Sequence, residues 1–151
     1  FMKYIILLTS IVSINVLADD CHNYYFSQNF ESALQACQDK ANNSRIKDNW
    51  EAPLILGNMY ERGYGVKANF DGAVYWYEKS ASTGNCTAMT DLMMLYYNAC
   101  NYQRYGCNGA KALYWGDVTT KSCRGVDSSF ISNNARYYSL ASQGRPQDFL
   151  K

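Results

Sequence analysis

The side chains with obvious chemical capacity in this chain are six cysteines, a single histidine, and a serine three residues ahead of a lysine. Ser44 and Lys47 fit S-x-x-K, the nucleophile motif of penicillin-binding proteins and serine β-lactamases, in which the serine oxygen attacks an acyl carbon. The partner motifs S-D-N and K-T-G are missing, and the pair falls in an asparagine-rich stretch, so the fit reads as chance. His22 has no serine or cysteine at a fixed local spacing and G-x-S-x-G is absent, which leaves a surface or capping histidine. Glu61, Asp91 and Asp117 could act as acid and base on a sugar if they face one surface. No feature of the sequence couples any two of them, and solvated carboxylates are the ordinary reading. No catalytic residue is expected.

The cysteines, Cys21, Cys37, Cys86, Cys100, Cys107 and Cys123, are even in number and spread along the chain, which implies disulfides in an oxidising compartment. Spacing alone leaves their pairing open. A zinc site is the rival use, but no C-x2-C pair occurs and His22 stands alone. Neither metal nor cofactor is expected.

The elements that position these residues begin after an export signal. Lys3 precedes an apolar run from Tyr4 to Val16 that ends in the small-residue pattern Val16, Leu17, Ala18, so residues 1–18 read as a signal peptide. The run is too short and too polar for a membrane span, and no later run is apolar enough for one. Cys21 follows Asp20 rather than the small residue an acylated lipoprotein requires. The formal charge is +1 with Lys3 included, which gives no basis for binding nucleic acid. The expectation is a periplasmic or secreted chain with one domain over residues 19–151.

That domain is internally repetitive. Asn29, Phe30 and Ala33 are echoed by Asn69, Phe70 and Ala73, and Ala41 then corresponds to Ala81. Ala88, Leu92 and Tyr96 repeat Ala52, Leu56 and Tyr60, while Ala112 and Trp115 repeat Ala73 and Trp76. Small and large apolar residues recur three and four apart on both sides of Gly63 and Gly65, the pattern of a helical hairpin. Self-similarity at a period in the high thirties marks a stacked array. No strand signal occurs, so the fold class is all-α.

The unit from Ala52 to Gly84, with Gly57, Tyr60, Gly63, Gly65, Val66, Trp76, Tyr77 and Ala81 in place, closely resembles the Sel1-like repeat, an α/α solenoid unit related to tetratricopeptide repeats. The resemblance implies a short α/α solenoid of about three disulfide-tied hairpins. They are a shortened one over 19–41, a full repeat over 50–84 and a second repeat over 86–123, followed by a terminal helix over 127–144. The second repeat departs from the pattern: Met93 stands where the first has Gly57, and a loop from Cys100 to Cys107 replaces the glycine turn. Hairpin geometry of that family pairs Cys86 with Cys123 and Cys100 with Cys107, and leaves Cys21 for Cys37.

The resemblance also implies a non-catalytic scaffold that binds another protein, for example an immunity protein that neutralises an antibacterial toxin. An envelope or host-interaction adaptor is the alternative, and a weak penicillin-binding, β-lactamase-like or peptidoglycan-modifying protein is a further one. Family geometry puts the first helix of each unit on the concave face, which nominates Asn58, Glu61, Arg62, Thr90, Asp91, Met94 and Tyr97. Tyr102, Arg104 and Tyr105 in the cysteine-closed loop would add an edge contact. Tyr60, Tyr77, Tyr96, Trp76 and Trp115 fall at packing positions. Tyr64, Tyr97, Tyr102 and Tyr105 do not, and with Arg62 and Arg104 nearby they form either a binding surface or ordinary loop tyrosines.

Overall fold

A computed structural model describes residues 20–43, 49–102 and 104–125. The expected signal peptide (1–18), the Ser44 to Lys47 motif and the expected terminal helix (127–144) lie outside the described residues. Three asparagines set the frame of the rest. Asn29, Asn69 and Asn108 each cap a helix, their side chains accepting the amides of Ser32, Gly72 and Lys111 at 3.4, 2.9 and 3.0 Å. An asparagine side chain in this position satisfies a backbone donor that the helix itself leaves unpaired. These three head α2 (Phe30–Asn42), α4 (Phe70–Ala81) and α6 (Gly109–Ser122), and a fourth asparagine, Asn85, caps the helix from Cys86 in the same way, accepting the Ala88 amide at 2.8 Å. Each of the first three is preceded by a partner: α1 (Asp20–Phe26), α3 (Glu51–Arg62) and α5 (Cys86–Asn101). The described residues contain these six helices and no strand.

The heaviest packing is within the pairs α1–α2, α3–α4 and α5–α6, and α2–α3 and α4–α5 join one pair to the next. The order along the chain is therefore the order in space, a helical packing compatible with a solenoid. Helix α4 buries both sides. Trp76 joins a core with Ala33, Cys37, Leu56 and Met59, and Tyr77 joins a second core with Leu92, Tyr96 and Ala112.

One inter-helix position is filled differently in each pair. In the first, Cys21 and Cys37 close it as a disulfide, with Cα atoms 4.6 Å apart. In the second, Gly57 lies so close to the Tyr77 ring that a Cβ on the glycine would overlap it. In the register of the third, Met93 stands for Gly57 and Gly116 for Tyr77, and both are buried. Large and small have changed sides, so the departure of Met93 from the repeat pattern is matched by a second departure across the interface. Close packing tolerates such an exchange when the large and the small residue change together.

The other disulfides are Cys86–Cys123 and Cys100–Cys107, with Cα separations of 5.8 and 4.3 Å. All three expected pairs are present. The hairpin turn after α3 uses Gly63 in the left-handed region, φ 77°, its amide donating to Met59 O at 2.8 Å. The loop after α5 uses Gly106 at φ 88°, seated so closely on the Phe70 ring that no Cβ would fit. Glycine meets both demands there, positive φ and close approach. The loop is thus pinned to α4 as well as to α5. No described helix is long and apolar enough to cross a membrane, and three disulfides fit an oxidising compartment.

Candidate binding surface

The first helices of the three pairs bring one group of polar side chains together. Glu61, near the end of α3, accepts a hydrogen bond from the Tyr77 hydroxyl at 2.7 Å. Tyr77 is fully buried, with its ring against Gly57, so the core fixes where that hydroxyl points. Burial and the adjoining Glu61 carboxylate push its acidity far above the usual phenol range. Asp91 on α5 shares the field of Glu61. Burial first, then repulsion from Glu61, raises its carboxyl to about 6, with Arg62 pulling the other way. Arg62 completes the group beside Tyr64 and Tyr25, and contact with the Tyr64 side chain is the main stabiliser of its charge. Burial raises the Tyr25 phenol as well, partly offset by Arg62.

Next to this group lies a groove of about 380 Å³ that opens between the ends of α3 and α5, the start of α4 and the disulfide-closed loop. Phe70, Leu95 and Ala99 form its apolar floor, Glu61 closes one side, and Tyr102 and Tyr105 stand at its edge. The loop tyrosines are the exposed ones, at 60% and 76%. Tyr105 is nevertheless placed: its hydroxyl donates to Asp71 Oδ2 at 2.9 Å and its ring meets Phe70 edge-on. Arg104 lies over the Tyr102 ring, 5.1 Å from its centre. An exposed aromatic already fixed in position presents area without an ordering cost on binding.

Of the residues nominated from sequence, Glu61, Tyr102, Arg104 and Tyr105 meet at this groove, and Arg62 and Asp91 adjoin Glu61. Asn58 and Thr90 are half-buried and bond their own helices, Asn58 Nδ2 to Leu54 O and Thr90 Oγ1 to Cys86 O. Met94 and Tyr97 are half-buried too, Tyr97 packing against the second core. Tyr64, which matched no packing position, is a packing residue: its ring stacks on Phe30 with centres 4.6 Å apart. Asp117 stays apart from the carboxylate pair, exposed and bridged to Lys121 at 2.7 Å. His22 sits on the surface with Nδ1 2.7 Å from Glu51 Oε1, and Lys40 meets the same carboxylate at 3.1 Å. Burial would raise Glu51, but its hydrogen bonds with His22 and Lys40 outweigh that and hold it below the ordinary range.

Sequence reasoning missed the pairing of Glu61 with Asp91 and the place of Phe70 and Asn98 in the groove. A signal for Asn98 was present, since Asp91, Leu95, Asn98 and Tyr102 follow helical spacing along α5. It also missed two exposed tyrosines, Tyr75 and Tyr114, both 56% exposed and each edge-on to the following tryptophan. Among the described residues no cluster of His, Cys, Asp and Glu has the arrangement of a metal site. No family model matches this chain, and no match to a curated protein or to a solved structure reaches significance.

Proposed function

We propose that this chain is an exported, Sel1-like repeat scaffold that binds another protein without catalysing a reaction. Its contact surface is the tier formed by Glu61, Arg62 and Asp91 together with the groove and the clamped loop. The observation that carries the reading is the loop itself. Tyr102 and Tyr105 are exposed aromatics beside an arginine, on a segment fixed by a disulfide and by Gly106 on Phe70. Tyrosine and arginine dominate the energetics of protein interfaces, and a pre-ordered loop lowers what binding costs. A bound and neutralised toxin, in the manner of an immunity protein, is one role that such a surface suits.

The test is capture of a stoichiometric partner by the oxidised chain, followed by the same capture with Tyr105→Ala and with Tyr114→Ala. Loss with the first and retention with the second supports the reading; equal loss or no partner contradicts it. The acid pair supports a second reading, a glycan hydrolase in which Asp91, its carboxyl raised, gives a proton beside Glu61. Release of reducing sugar from peptidoglycan, abolished by Asp91→Asn, would favour it over the scaffold.

A further inference from the structure

The groove beside Glu61 has the chemistry of a socket for one particular kind of side chain. Its lining combines apolar Phe70, Leu95 and Ala99 with the aromatic Tyr102 and Tyr105, and its one carboxylate, Glu61, stands among the polar side chains of Asn69, Asn98 and Arg104. Only one oxygen of that carboxylate takes the Tyr77 hydroxyl, Oε2. Among the lining residues Glu61 and Arg104 carry charge of opposite sign, and two further carboxylates lie close by, Asp91 in the field of Glu61 and Asp71 holding the Tyr105 hydroxyl. Arg62 and Arg104 are the cations in the neighbourhood, and Arg104 is engaged on the face of Tyr102.

We infer that this groove receives a lysine or arginine side chain of the bound protein. The aliphatic stem would lie along Phe70, Leu95 and Ala99 and the charged head would meet Glu61, with the fixed rings of Tyr102 and Tyr105 beside it. The inference rests on the protein-binding reading and adds the chemistry of the residue recognised. A long side chain with an apolar stem and a cationic end matches a floor and carboxylate arranged in this order. Aromatic rings at the edge add attraction for a cation, and a guanidinium already lies against one of them from within the chain. The Tyr77 hydroxyl keeps Glu61 oriented before the ligand arrives, so the hydrogen bond to the incoming cation needs no rearrangement.

The experiment is a nuclear magnetic resonance titration of the oxidised, isotope-labelled full chain with Nα-acetyl-arginine methylamide. The lysine, glutamine and glutamate analogues and a neutral disaccharide are run beside it. The expected result is saturable shifts at Leu95, Asn98, Ala99 and Tyr102 with the arginine and lysine probes, weakened by salt. Glu61→Gln, which can still accept from Tyr77, should lower the affinity roughly tenfold, the loss expected of one charge-assisted hydrogen bond. Tyr105→Ala, a change at an exposed side chain, should weaken it with the fold intact. Equal shifts with the glutamine probe, saturation by the disaccharide, or no shift with the arginine probe at about a hundred times the concentration of protein would overturn the inference. So would unchanged affinity in Glu61→Gln. A protein partner that binds Glu61→Gln as tightly as the parent overturns the socket and leaves the scaffold standing. Arginine binding without any protein partner does the reverse.

Discussion

The Tyr77 hydroxyl stands 2.7 Å from Glu61 Oε2, and this bond joins the core of the molecule to its candidate binding surface. The ring of Tyr77 is locked against Gly57, a contact between α3 and α4. The position of Glu61 is therefore a consequence of how two helices pack.

Tyr77→Phe should keep the packing and lose the bond. A hydrogen bond to a charged group contributes about 1.5–3 kcal/mol when buried, and Glu61 is half-exposed, so a loss of about 1 kcal/mol in urea unfolding is expected. Binding at the groove should fall by a larger factor than stability suggests, because the carboxylate is no longer held. A variant with normal binding would separate the two.

The exchange of large and small residues between the second and third pairs can be tested as a cycle. Gly57→Met alone forces a side chain into the Tyr77 ring, and Tyr77→Gly alone leaves a cavity of aromatic size. Together they reproduce the Met93 and Gly116 arrangement of the third pair. The double variant should be more stable than the sum of the singles by roughly 1–3 kcal/mol. Strict additivity would mean that the two positions do not share one site.

Stability should depend on pH through Asp91. Its folded carboxyl titrates near 6 against an ordinary value of 3.8, so the folded chain holds a proton that the unfolded chain has released. Stability therefore rises as pH falls from about 6 toward 4, by about 1–2 kcal/mol after allowance for the solvent that reaches this partly buried group. Glu51 works in the opposite sense, since its carboxyl is lowered in the folded state and its contribution is lost only in more acid solution. Asp91→Asn should flatten the profile between pH 6 and 4.5, the window between the folded Asp91 value and the ordinary value of Glu51. Denaturant midpoints across that range give the answer, and an unchanged slope would contradict it.

The disulfides should separate stability from binding. Cys86–Cys123 spans 37 residues and Cys100–Cys107 spans 7. Chain entropy makes removal of the longer bridge costlier by about 1.5 kcal/mol. Paired serine substitutions at Cys100 and Cys107 should leave the helices folded yet weaken binding, since Tyr102, Arg104 and Tyr105 lose their clamp. Circular dichroism and a partner or probe titration on the same sample distinguish the two effects.

Much of this fold was legible in the sequence because the repeats carry their own punctuation. Asn29 and Asn69 with the alanines that follow them mark equivalent helix starts, Ala112 and Trp115 mark the third, and three cysteine pairs are legible once hairpins are assumed. The surface was legible only in part. Glu61 and Asp91 lie on successive first helices, and nothing local in either segment reports the field one exerts on the other. The stacking of Tyr64 on Phe30 was hidden for the same reason, since it joins the turn after α3 to the start of α2. Phe70 was read as an echo of Phe30, and its second role as the floor under the loop depends on Gly106 resting on its ring.

The most direct test of the central claim is the stoichiometry of a purified complex between the oxidised chain and the protein it captures, measured for the parent, Glu61→Gln, Tyr105→Ala and Tyr114→Ala. The expected result is a one-to-one complex that persists in Tyr114→Ala and is weakened in both of the others. A complex indifferent to Glu61 and Tyr105, or lost only with Tyr114, would put the binding surface elsewhere and contradict the account.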